Sequence, residues 1–238
     1  MADPRWKELT KYSACDVADA LLKLHVSGAG FLSGISPIPC TTALPQSHLP
    51  RTASLASTFL MLPKASGSFP GPATEPQDIP PSNVQPGTPF ADYTEADTIV
   101  VISQPEGQTC AVVGGIMAAR MKILGAQGII VDGQVRDLVA LNELEIPIWS
   151  RGTSIIGAGA ETKFHARNVP VRIGNITVEP GDIVMVDPYE RGTVVVPRGK
   201  LYDVLKMLPA LVEADEKVER DVEEGVTVQE AFKRHRGK

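Results

Sequence analysis

The segment Asp132-Gly133-Gln134-Val135-Arg136-Asp137 sets two carboxylates and a guanidinium directly after the apolar run Gly128-Ile129-Ile130-Val131. Arg136 has the planar fork that grips a carboxylate through two parallel hydrogen bonds. Asp137 beside it offers a hard oxygen, the kind that Mg²⁺ or Mn²⁺ accepts while keeping several waters. Upstream, Gly114-Gly115 precedes Ile116-Met117 and a stretch with helical rhythm. A helix start presents unpaired backbone N–H groups that suit a carboxylate or phosphate. Together these parts could hold a small anionic oxo acid against a cation. Singly each has a plainer meaning: Asp-Gly is a common turn, Arg-Asp a common surface pair, and Gly-Gly before a helix a weak signal.

Whether the pieces meet depends on the elements between them. Thr98 to Ile102 is a buried-type strand; the helix after Gly115 ends at Gly125; Gly128 to Val131 is a second buried-type strand. A short helix, Leu138 to Leu144, and a third strand, Ile146 to Trp149, follow. Apolar strands alternating with helices predict a parallel sheet in an α/β fold. In such a sheet a crossover helix leaves the edge where strands end and the next strand returns to it. About ten helical residues and about five extended ones each cover roughly 15 Å. The twenty residues 116–135 between Gly115 and Arg136 are one such round trip. That brings the glycine turn and the Arg-Asp pair to one edge, where open α/β sheets bind ligands.

Elsewhere, Leu9, Val17, Ala20, Leu21 and Leu24 fall near helical spacing with Ser13 as N-cap, and Asp16 and Asp19 on the polar side read either as first-turn carboxylates favoured by the helix dipole or as catalytic acids. Residues 63–90 form a proline-rich surface loop, with eight of the twenty prolines between Pro63 and Pro89. The segment VPVRIGNITVEPGDIVMVD alternates apolar and polar residues around Gly174-Asn175 and Pro180-Gly181 turns, predicting antiparallel strands, with another at Thr193 to Val196. Residues 201–238 predict a helical extension, its last helix opened by the capping box Thr227-Val228-Gln229-Glu230. A single domain over 1–238 accommodates all of this.

Composition narrows the function classes. A net charge of -5 argues against non-specific nucleic-acid binding. No stretch approaches the roughly 18 apolar residues needed to span a bilayer, and the N-terminus lacks the apolar run of a signal peptide. Cys15, Cys40 and Cys110 lie far apart without CxxC spacing, which points to a reduced, cytoplasmic setting. His25, His48, His165 and His235 are scattered without ligand spacing. Lys122 sits mid-helix and Lys163 in a connection, so no lysine is placed for a Schiff base at a central strand end.

The segments GGIMAARMKILGAQGIIVDGQVRDL and PIWSRGTSIIGAGAE resemble the RraA-like family, which includes 4-hydroxy-4-methyl-2-oxoglutarate aldolases and oxaloacetate decarboxylases. CDVADALLKL, NVPVRIGNITVEPGDIVMVD and VQEAFKRHR extend the likeness, the last especially to fungal members. The family's signature of Gly, twenty residues, then Arg-Asp corresponds to Gly115 and Arg136-Asp137. The resemblance implies a swivelling α/β/β fold and a homotrimer, or a hexamer of two trimers. It also implies that the backbone of Gly114, Gly115, Ile116 and Met117 holds a pyruvyl carboxylate, that Arg136 binds the substrate's carboxylate or keto oxygen, and that Asp137 holds a divalent metal, Mg²⁺ or Mn²⁺, partly through water. The function so implied is a metal-dependent lyase that cleaves a C–C bond of a 2-oxo-dicarboxylic acid, giving pyruvate through a stabilised enolate. One departure stands out: where many aldolase members carry an acid three residues after the motif aspartate, this chain has Ala140. Glu143 is nearby, and Glu190 and Glu213 are candidates for an acid lent by a neighbouring subunit. Alternatives are a non-catalytic regulator, since bacterial members inhibit an RNA-degrading enzyme, and a member repurposed for biosynthesis with a larger substrate.

Overall fold

The computed structural model describes residues 4–39, 49–64, 68–69 and 79–237. Cys40, His48 and much of the proline-rich segment lie outside them. The strands are β1 (Ser36–Pro37), β2 (Thr52–Pro63), β3 (Thr98–Ser103), β4 (Ala111–Val113), β5 (Gly128–Val135), β6 (Ile148–Thr153), β7 (Thr162–Arg167), β8 (Val171–Ile173), β9 (Ile176–Val178), β10 (Ile183–Asp187) and β11 (Gly192–Val196). The helices are α1 (Ala14–Lys23), α2 (Gly115–Ile123), α3 (Leu138–Asn142), α4 (Leu201–Glu223) and α5 (Val228–His235).

The main sheet runs β1-β6-β5-β3-β2-β10-β11, with β4 beside β5 and β7 beside β2. Its centre is parallel, as expected: β2 pairs β3, β3 pairs β5, and β5 pairs both β4 and β6 in that sense. Its flanks are antiparallel, through β1, β7, β10 and β11. β8 and β9 form a separate hairpin over the Gly174-Asn175 turn.

Side-chain alternation sorts the core into three clusters. Val100 and Ile102 of β3, with Ile129 and Val131 of β5, pack under Ala118 and Met121 of α2 and Leu141 of α3. Their neighbours Ile99, Val101 and Ile130 turn to the other face, against Trp149, Val184, Val186 and the hairpin residues Ile173, Ile176 and Val178. Ile183, Met185, Val194 and Val196 turn back out, under Val17 and Leu21 of α1 and Val204 and Leu208 of α4. The sheet therefore curls around one shared inner core, with two helical layers on its outer face.

Three expectations need correction. The strand after Gly128 does not stop at Val131; β5 continues to Val135, because Gln134 and Val135 still find partners in β4 and β6. Leu9 belongs to a 3-10 helix, Pro4–Lys11, and α1 starts afresh at Ala14 behind a capping box. There Ser13 Oγ accepts from the Asp16 amide at 3.1 Å and Asp16 Oδ2 accepts from the Ser13 amide at 2.8 Å, so Asp16 is a cap. Lys163 lies in strand β7 and not in a connection. Of the proline-rich segment, residues 79–89 are irregular, as expected, and are tied to β7: Ser82 Oγ donates to His165 O at 2.8 Å, Asn83 Nδ2 to Arg167 O at 2.8 Å, and a His165 ring nitrogen contacts Pro80 O at 2.7 Å.

Candidate active site

The end of β5 is locked on both sides. The Arg136 amide donates to Val113 O at 3.0 Å, and the Ser154 amide to Val135 O at 2.9 Å. Arg136 is thus bracketed by β4, which leads into Gly114, and by the segment 154–157, which leads out of β6. Both brackets press on its side chain. A β-carbon at Gly114 would lie 3.2 Å from Arg136 Cγ and Nε, and one at Gly157 would lie 3.1 Å from Nη1. Gly157 received no role from sequence; only a glycine in a loop hinted at it, and close approach is the reason.

Asp137 takes the left-handed conformation, φ 62° and ψ 46°, and stands at the N-cap of α3. Its carboxylate turns away from α3 and toward α2, where Oδ2 accepts from the Gly115 amide at 3.0 Å. Arg136 Nε lies 3.8 Å from the same oxygen. Oδ1 has no hydrogen-bond partner among the described residues. Both side chains remain close to half exposed, 43% for Arg136 and 49% for Asp137. The glycine turn and the Arg-Asp pair therefore meet, as the round-trip count predicts.

Details of the cradle differ from expectation. The Gly115 amide is given to Asp137 and is not open. The amides of Ile116 and Met117 precede the first intrahelical bond, from the Ala118 amide to Gly114 O at 3.1 Å, and stay available. Ala140 abuts the helix start, since a β-carbon at Gly115 would lie 2.9 Å from Ala140 Cβ. An acid at position 140 would thus stand beside the cradle; alanine leaves that place apolar. Glu143 is the exposed C-cap of α3, one turn further on. Glu190 is in the β10–β11 turn and Glu213 in α4, where it pairs with Lys217 at 2.6 Å, a bond that holds its carboxyl below the usual range.

Asp132, four residues before Arg136, goes elsewhere. It forms an ion pair with Arg151 beneath the β8–β9 turn. Burial raises its carboxyl above the ordinary value, against the lowering effect of Arg151. Gly133 between them allows the close approach of Gln104, whose Oε1 accepts from the Gln134 amide at 3.0 Å. Only the second carboxylate of the hexapeptide belongs to the candidate site.

Among the described residues no cluster of three or more His, Cys, Asp or Glu is placed to hold a metal. One exposed carboxylate with an unpartnered oxygen fits a water-rich ion such as Mg²⁺ and does not fit a cage of protein ligands. His165 and His235 have partners remote from the site, Pro80 O and Asp221. Cys15 and Cys110 are free thiols. No described helix is long and apolar enough to cross a membrane.

Known proteins share this arrangement of sequence and fold. Over 134 residues the chain is 33% identical to a Halalkalibacterium halodurans protein named "Putative 4-hydroxy-4-methyl-2-oxoglutarate aldolase", a match covering 56% of this chain and 62% of that one. It is 30% identical over 115 residues to the uncharacterized protein MJ0644 of Methanocaldococcus jannaschii, covering 48% of this chain and 54% of the other. The chain thus spans less than two thirds of the curated relatives it matches. In fold it is similar to an uncharacterized protein from Pseudomonas syringae, with TM-score 0.71, 24% identity and coverage of 97% and 98% of the two chains. It is also similar to RraAS2 of Streptomyces coelicolor, described as an unusual member of the RNase ES inhibitor RraA protein family, with TM-score 0.69, 21% identity and coverage of 94% and 100%. The family model RraA-like, Aldolase/RraA, matches residues 15–195, and the chain belongs to that family.

Proposed function

We propose that this protein is a divalent-metal-dependent carbon–carbon lyase that releases pyruvate from a 2-oxo acid, by retro-aldol cleavage of 4-hydroxy-4-methyl-2-oxoglutarate, by oxaloacetate decarboxylation, or by both. The observation that carries this reading is the convergence of Arg136, Asp137 and the open start of α2 on one edge of the sheet. The Ile116 and Met117 amides accept the 2-oxo acid's carboxylate, at the positive end of the helix. Arg136 lies over the keto oxygen, where negative charge collects as the C–C bond breaks, and its guanidinium stabilises that charge. Mg²⁺ or Mn²⁺ on Asp137 would supply Lewis-acid polarisation of the same oxygen. Gly114 and Gly157 set the position of the guanidinium before substrate arrives, so little reorganisation is left for the reaction itself.

The assembly proposed is a homotrimer or a hexamer. It is supported by the apolar rim of the site, where Ile116 is 81% exposed, Val139 60% and Ile155 94%. The same rim favours the second reading, a regulatory binding protein, as does alanine at position 140. A coupled pyruvate assay with oxaloacetate and 4-hydroxy-4-methyl-2-oxoglutarate, with Mg²⁺ and with EDTA, separates the two. Pyruvate release that EDTA abolishes and Mg²⁺ restores supports the lyase; a folded protein inert toward both substrates supports the regulator.

A further inference from the structure

β5 changes partners just before it reaches Arg136. Its pairing with β3 ends where Asp132 meets Ser103, and its pairing with β4 begins where Gln134 meets Ala111. Its ladder with β6 is broken over the same stretch, between Val131 and Gln134. Buried backbone groups at such a handover need partners. One side chain spans the gap. Gln104, the residue after β3, is 6% exposed, and its own amide donates to Asp132 O at 3.2 Å. Its Oε1 accepts from the Gln134 amide at 3.0 Å, and its Nε2 donates to Cys110 O, one residue before β4, at 2.8 Å. An N–H on one side and a carbonyl on the other fix which way the carboxamide points.

The same side chain reaches both brackets of Arg136. Cys110 leads directly into β4 and so to Gly114. Gln104 Nε2 also lies 3.3 Å from Gln108 Oε1, and Gln108 Nε2 donates to Glu161 O at 2.6 Å. The Glu161 carboxylate accepts in return from the amides of Thr109 at 2.8 Å and Cys110 at 2.6 Å, and from the Thr109 hydroxyl at 3.0 Å. The Ala111 amide then donates to Ile156 O at 2.8 Å, next to Gly157. A continuous path of hydrogen bonds from Gln134 through Gln104 to Glu161 thus ties the end of β5 to the two segments that press on the guanidinium. Gly133 is part of the device, since a β-carbon there would collide with Gln104 Oε1. Asp132-Gly133 lies within β5 and is no turn; its glycine is a slot for a buried carboxamide.

We propose that Gln104 is a positioning residue for Arg136: it acts through the backbone, as a side-chain rung where β5 passes from β3 to β4, and keeps the guanidinium where the keto oxygen is bound. Its effect on rate rests on the lyase reading; its effect on the place of Arg136 rests on the hydrogen bonds alone.

Gln104→Met nearly keeps the volume and removes both hydrogen-bonding ends, leaving the Gln134 amide and the Cys110 carbonyl unpaired. Crystal structures of the full chain and of this variant read the first consequence: the Arg136 guanidinium should leave the slot between Gly114 and Gly157. Pyruvate release from oxaloacetate with Mg²⁺, referred to the folded fraction, reads the second. There kcat should fall by about a hundredfold while KM changes by about threefold at most, because the Ile116 and Met117 amides are untouched. A merely structural role would lower the melting temperature and leave both Arg136 and kcat per folded molecule as they are. Gln104→Glu covers the case in which methionine prevents folding. Protonated, its carboxyl offers the same donor and acceptor as glutamine; ionised, it sets a charge against Cys110 O. Its kcat relative to the natural protein should therefore fall as pH rises from about 5 to about 9, with Arg136 displaced in crystals grown at the alkaline end. The proposal is overturned if the guanidinium keeps its place in the variants, or if it moves while kcat holds, or if the Gln104→Glu ratio is flat with pH. A natural protein that releases no pyruvate removes the lyase reading, and the crystal structures then decide whether Gln104 places Arg136.

Discussion

The amide of Gly115 donates to the carboxylate of Asp137 at 3.0 Å, so the first residue of α2 and the N-cap of α3 hold one another. The bond occupies one carboxylate oxygen and leaves the other toward solvent, with Arg136 alongside. Asp137 is held in a left-handed backbone conformation while it makes this contact. The position therefore demands a residue that tolerates positive φ and carries an acceptor, and aspartate meets both needs.

Asparagine at this position separates charge from shape. Asp137→Asn tolerates the left-handed backbone and its side-chain oxygen can still accept from Gly115, but it cannot hold a divalent ion. Mg²⁺-dependent pyruvate release should fall by about a thousandfold, or about 4 kcal/mol, with unfolding by urea nearly unchanged. Asp137→Ala should lose activity equally and also about 1 kcal/mol of stability, from the strained backbone. Natural turnover in the asparagine variant would remove Asp137 from the mechanism.

Arg136→Lys keeps the charge and loses the planar fork. With Gly114 and Gly157 shaped to the guanidinium, an ammonium in the same space finds neither the geometry nor the contacts. A drop in kcat/KM for oxaloacetate of about a hundredfold is expected. Turnover within a few-fold of the natural protein would show that the arginine acts only as a positive charge.

Gly114→Ala tests the tight packing without touching a charged group. Its backbone is extended, so the substitution carries no conformational strain, but the new methyl would meet Asp137 Oδ2 at 2.6 Å. Displacement of both functional side chains should cost roughly a hundredfold in kcat. Gly159→Ala, where a β-carbon meets nothing within 4 Å, is the matched control and should leave kcat unchanged.

Asp132 gives a pH signature unrelated to catalysis. Burial raises its folded-state carboxyl above the ordinary value of 3.8, so in the window just above that value the folded chain binds the extra proton more readily than the unfolded one. Its contribution therefore favours folding at the acid end of the window and declines as pH rises through the folded value. Asp132→Asn removes the titration. The difference in melting temperature between natural protein and variant, followed from pH 3.8 upward, should shift against the natural protein as pH rises; a flat difference would contradict the raised value.

The central β-α-β passage was legible because the runs Thr98 to Ile102 and Gly128 to Val131 are buried on both faces, and Gly125 and Gly133 punctuate the second. The meeting of Gly115 with Asp137 followed from counting residues along that path. β2 was not legible: TASLASTFLMLP mixes small and hydroxyl residues, since Ser54 Oγ and Thr58 Oγ1 satisfy neighbouring carbonyls inside the fold. β7, TKFHAR, hides in the same way: the Thr162 hydroxyl is buried against Leu62 O, Lys163 faces outward, and His165 and Arg167 are tied to the 80–83 segment. The diversion of Asp132 to Arg151 was out of reach too, because it depends on where the β8–β9 turn lands. The part of Gly157 is likewise a matter of tertiary approach.

The register of β5 against β6 slips between Val131 and Gln134: three residues on β5 are matched by two on β6, from Ser150 to Gly152. Val131 and Val135, four apart across the slip, still share the face packed under α2; Asp132 meets Arg151, while Asp137, just past the strand's end, meets the start of α2. A deletion of one residue here would leave each strand its apolar content and still rotate the guanidinium away from the glycine turn. What matters at this point is then a length, the spacing from Gly115 to Arg136, and shortening it by one would dismantle the candidate site without altering a single side chain within it.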